Sequence, residues 1–156
     1  MATFTIGERE TTPYLTIGFK KSESTIEQAT NQALAASSLA LYDRFRLKEK
    51  RLITSKKPWN QMHFDQIRHY MMTFTAARAT IWLVKLKSSA ASDQDYVKVV
   101  WNGCETVKIL QCDCKSAMGV GDLVDYINAI HRWGLMHGEY CRRDVKAVIS
   151  ASWGGV

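Results

Sequence analysis

Proline is nearly missing, with two residues in 156, and glycine is limited to nine. That excludes collagen-like and linker-like chains. No apolar run approaches the ~18 residues of a membrane-spanning helix. The opening residues Met1–Glu8 carry neither a basic segment nor an apolar one, so no secretory signal is visible. Internal repeats and low-complexity tracts are absent, as are the Gly-x-Ser-x-Gly elbow and the P-loop. Cysteine is absent before Cys104, and without an export signal disulfides are not expected. What remains is 46% hydrophobic and 23% charged, the mixture of a globular domain. These features predict a soluble, intracellular, single domain over residues 1–156.

Charge is plentiful but uneven. Arg44, Arg46, Lys48, Lys50, Arg51, Lys56 and Lys57 face one acid, Glu49, and this excess equals the net charge of +6 for the whole chain. Such a run makes a local site for phosphates of nucleic acid or ribonucleoprotein, or for an anionic membrane surface. A solvated helix end, where cations complement the dipole, has the same composition. Trp59 follows the run. It suits base stacking or wedging among headgroups, and equally a hydrophobic staple before a helix starting at Asn60.

The pattern predicts an α+β fold, with a mixed or antiparallel sheet, a central three-stranded meander and about three helices. Strands are expected at 3–7 and 14–20. A helix should start at the Ser24-Thr-Ile-Glu27 capping box and run beyond Phe45. Phe64, Ile67, Met71 and Phe74 have helical spacing, predicting a second helix over Asn60–Ala77. Thr80–Lys87, Tyr96–Trp101 and Thr106–Lys115 read as the meander, with Asn102-Gly103 as a hairpin turn and Val107, Ile109, Gln111, Asp113 and Lys115 on one face. A third helix should run from Asp122 to Gly134 as its C-cap, and Val145–Ala151 should form a closing strand.

Two side-chain constellations could carry chemistry. Cys112 and Cys114 would share a strand face, and His137 and Cys141 a helix face, giving a candidate zinc set. Packing as small buried thiols is the alternative. A histidine meeting a cysteine would also suit a thiol nucleophile. Second, Asp95 opens one strand and the next ends in Asp113-x-Lys115. With the order helix, three strands, helix, strand over Asn60–Ala151, this resembles PD-(D/E)xK nucleases. The resemblance implies Mg²⁺ held by Asp95 and Asp113, with Lys115 beside the attacking water. A sheet-end Asp–Lys pair is the structural alternative. Without that resemblance no cofactor is expected.

Asp122–Leu135 followed by Val145–Ser150 is similar to the C-terminal helix, aromatic-Gly-Leu turn and strand of rhabdovirus matrix proteins. Tyr14–Lys21 followed by Ser24–Tyr42 looks like that family's strand and alanine-rich helix. This likeness implies a non-enzymatic structural protein of the virion or host cytoplasm that binds ribonucleoprotein and the inner membrane leaflet and self-associates.

Overall fold

The computed structural model describes residues 2–6, 10–20, 26–87 and 99–153. Its elements are β1 (Ala2–Ile6), β2 (Glu10–Phe19), α1 (Ile26–Thr54), α2 (Gln61–Gln66), β3 (Arg68–Phe74), β4 (Arg78–Leu86), β5 (Cys104–Asp113) and α3 (Ala117–Trp153). The strands form one sheet in the order β1-β2-β3-β4-β5, in which β2 and β3 are parallel and the other pairs antiparallel. The fold is therefore α+β with a mixed sheet. No described helix is long and apolar enough to cross a membrane.

Alternation along the strands sorts side chains between two layers. On one face Met71, Val84 and the half-buried Trp82 pack with Leu41, Phe45 and Leu52 of α1. On the other, Leu15, Met72, Ala79 and Ile81 pack with Leu123 and Ile130 of α3. Small residues let α1 come close. A Cβ on Gly18 of β2 would stand 3.1 Å from the Ala29 carbonyl oxygen and 3.4 Å from the Ala33 Cβ.

The meander is built from β3, β4 and β5, which corrects the expected second helix. Arg68–Phe74 lies between both layers, so Met71 and Met72 are buried on opposite faces. A strand covered on both sides reads as a continuous apolar run, which periodicity does not separate from a buried helix. Only Gln61–Gln66 is helical. Asn60 caps it, its side-chain oxygen accepting from the His63 N–H at 3.0 Å while the Asn60 N–H donates to His63 Nδ1 at 3.2 Å. Trp59 stacks on Phe45 at 5.4 Å and meets Phe64 at 5.3 Å, the geometry of a staple.

Other expectations shift as well. Ser24 and Thr25, the start of the expected capping box, lie outside the described residues, as do Tyr96–Lys98; Val99–Trp101 are described and are not strand. Gly103 has a φ of 83°, as a turn glycine does, but it leads into β5, whose partner is β4. The pairing of β4 with β5 slips between Ile81 and Trp82: Ile81 faces Leu110 and Trp82 faces Lys108. Ile109 is the extra residue, so it packs with Leu110 on the α3 side and Gln111 turns to the α1 side.

The expected third helix, turn and closing strand are one helix of 37 residues, about 55 Å long. Gly134 does not cap it. It is buried in mid-helix, and a Cβ there would meet the Tyr14 ring at 2.6 Å. Gly134→Ala is expected to destabilise by about 1 kcal/mol, because overpacking outweighs the helix propensity gained. A lowered urea midpoint at constant slope would show it. An unchanged midpoint would mean that the Tyr14 ring moves aside.

Candidate functional site

The seven cations of the basic run do not share one fate. Arg44, Lys48 and Arg51 stand at i, i+4 and i+7, on the flank of α1 that also buries Leu41, Phe45 and Leu52. Arg44 is only 3% exposed; its guanidinium donates to the carbonyls of Pro13 and Arg68 and lies 5.8 Å from the Trp133 ring centre. Burial lowers its pKa to about 10. Lys48 Nζ contacts Asp144 Oδ2 at 2.5 Å and donates to Gln66 Oε1 at 3.0 Å. Arg51 Nη1 reaches Asp144 Oδ1 at 2.7 Å. Trp59 is buried too, so Arg44, Lys48 and Trp59 are interior groups and are not presented to a partner.

Arg46, Lys50, Lys56 and Lys57 are exposed, and Arg46 is paired with Glu49 at 2.6 Å. The end of α1 presents the last two. The Lys57 N–H donates to the Leu52 carbonyl at 2.9 Å and the Lys56 N–H to the Ile53 carbonyl at 3.1 Å, the crossed bonds of a Schellman motif. The left-handed position, normally glycine, is held by Lys56 with φ 51°. Flanking Asp144 on α3, the exposed Arg142, Arg143 and Lys146 add cations within a turn of the contact with α1, Arg142 being paired with Glu139 at 2.5 Å.

The α1–α3 crossing is polar inside. His137 stacks on Trp133 at 4.7 Å and its Nε2 lies 3.4 Å from Cys141 Sγ. This is a histidine beside a thiol, but not an activated pair. Burial pushes the Cys141 thiol up to about 11 and the His137 imidazole down to about 2, so both are neutral. His69, fully buried, contacts Thr16 Oγ1 through Nε2 at 2.8 Å, and burial lowers it to about 3.

The zinc set is not assembled. His137 and Cys141 meet on α3 at this crossing, whereas Cys112 packs with Leu123 and Ile130 on β5 and Cys114 lies past the strand end. Among the described residues no three His, Cys, Asp or Glu are grouped to hold a metal. Of the nuclease set, Asp95 lies outside the described residues. Asp113 ends β5 and its Oδ1 accepts the Lys115 backbone N–H at 2.8 Å, a turn into α3. The helix over Asn60–Ala77 and the closing strand, which the resemblance to those nucleases used, are not formed.

Sequence reasoning missed Asp144. It follows His137 and Cys141 at helical spacing, and an acid on a buried face requires a cation across from it. Also missed was a cleft of about 350 Å³ between the first turn of α1 and the sheet, lined in part by Thr73, Thr80, Arg78, Trp82 and Gln111. Compared with protein-family models, curated proteins and solved structures, the chain matches none.

Proposed function

We propose that this chain is a non-enzymatic binding protein for polyanions, single-stranded nucleic acid or ribonucleoprotein foremost, engaged by the exposed lysines at the end of α1. The observation that carries this reading is Lys56. A lysine in the left-handed conformation costs about 1 kcal/mol relative to glycine, and this one is exposed beside Lys57. Backbone strain under an exposed cation points to use of that cation. An anionic membrane surface offers similar chemistry, and self-association fits the exposed Val120, Val124, Leu135 and Ile149 of α3. A matrix-like structural role of the rhabdovirus kind would combine these properties.

Labelled single-stranded RNA titrated across a salt series tests the reading. Neutralising Lys48 and Arg51 would disturb the contact with Asp144, so the informative variants are Lys50→Gln, Lys56→Gly and Lys57→Gln. Together they should weaken binding and flatten the slope of log affinity against log salt by about 2. Lys56→Gly alone should raise stability by about 1 kcal/mol while lowering affinity, which separates binding from folding. Unchanged affinity in the triple variant sinks the proposal. Asp113 and Lys115 line a groove with Arg78, which keeps the nuclease reading as the alternative. Mg²⁺-dependent cutting of the same RNA, lost in Asp113→Ala, would replace the binding reading with it.

A further inference from the structure

The α1 face of the sheet changes character along its length. Met71, Trp82 and Val84 make it apolar where α1 covers it. Toward the first turn of α1 the same face turns polar: Thr73 pairs with Thr80, and Thr80 with Gln111, so three hydrogen-bonding side chains stand in adjacent register. They line the 350 Å³ cleft with Trp82, Arg78 and Asn31. Lys108 lies opposite Trp82 in register, its Nζ 6.0 Å from the ring centre. The Trp82 indole N–H is buried without a hydrogen-bond partner among the described residues. A second groove of about 450 Å³ shares Arg78 and Gln111 with the first and extends to Asp113 and Lys115.

We infer that this cleft is a nucleotide site that takes one base of a single strand, with the flanking phosphate on Arg78 and the adjoining groove; the inference rests on the nucleic-acid reading above and gives it a second contact. An aromatic wall with cations beside it is what base stacking and phosphate contact together require. Amides and hydroxyls at Asn31, Thr73, Thr80 and Gln111 match the edges of a base or a ribose. The volume is at the small end of ligand cavities, suited to a single nucleotide unit. Glu27, the one carboxylate among the described residues lining the cleft, accepts hydrogen bonds and donates none, so it favours a base with an exocyclic amine. Cytidine monophosphate is therefore held more tightly than uridine monophosphate.

The test follows the Trp82 indole and Gln111 amide signals by NMR while the full chain is titrated with cytidine monophosphate, uridine monophosphate or inorganic phosphate. Cytidine monophosphate should shift both signals. Arg78→Ala, an exposed position, should weaken it about tenfold without unfolding the chain. Glu27→Ala should remove the preference over uridine monophosphate. Equal shifts with phosphate alone would reduce the cleft to an anion site and overturn the inference. No shift at millimolar nucleotide also overturns it, and if RNA still binds through Lys56 and Lys57 the proposed function survives that failure. Nucleotide shifts without any RNA binding would do the reverse.

Discussion

Asp144→Ala should lower the stability of this protein by about 3–5 kcal/mol, far more than a surface ion pair is worth. Asp144 is 2% exposed and is the sole carboxylate contacting Lys48 and Arg51 among the described residues. With it gone, the Lys48 ammonium stays inside with Gln66 as its remaining neutral partner, while Arg44 lies buried on the same helix flank. An uncompensated buried charge is costly because the interior replaces little of its hydration. Arg51 is about one-third exposed, so solvent recovers part of its share. The pair itself is a different quantity from the cost of breaking it. Lys48→Met with Asp144→Leu removes both charges and should regain most of the stability lost in Asp144→Ala. Urea unfolding of the single and double variants measures this directly. A cost below about 1 kcal/mol for Asp144→Ala would show that water reaches the crossing and that the contact is effectively a surface pair.

The elements that were legible in the sequence are those with one buried face. β4 shows its alternation from Thr80 onward, and α1 shows its stripe of Ala33, Ala40 and Leu41. β3 was misread because both its faces are covered, so Met71 and Met72 are equally apolar and the period of two disappears. Gly134 was misread because a glycine that admits the Tyr14 ring has the same letter as one that ends a helix. The candidate site shows the same limit. A count of charges located the basic run, but not which side of the helix each cation faces. The spacing of Arg44, Lys48 and Arg51 continues the stripe that buries Leu41, and that periodicity would have placed them inside. Asp144 as their partner was not available from α1 at all. It sits 93 residues beyond Arg51, and only the passage of α3 across α1 brings it there.

Acid should destabilise this protein well above the usual carboxylate range, and the two interior imidazoles are the reason. In the unfolded chain His69 and His137 take up protons near 6.5; in the folded chain they stay neutral down to about 3 and about 2. Burial is the main cause for each. The Arg44 guanidinium adds to it for both, and Lys48, Arg68 and His69 add to it for His137. Below about 6.5 the unfolded state therefore binds more protons than the folded one, so stability present at neutral pH is lost as the pH falls. Each imidazole contributes about 2 kcal/mol of loss between about pH 7 and pH 5, and the two together about 4 kcal/mol. Against a total stability of about 5–15 kcal/mol, that is most of the stability at the low end and about a quarter of it at the high end. Urea midpoints measured across this range should fall steadily, and His137→Leu should fall about half as far. His137 sits between Trp133 and Cys141 on α3, and His69 beside Thr16 within the sheet, so His137→Leu leaves the His69 contact in place. A midpoint constant from pH 7 to 5 would mean that both imidazoles protonate in the folded state, which requires water to reach side chains that are buried here and would overturn this prediction.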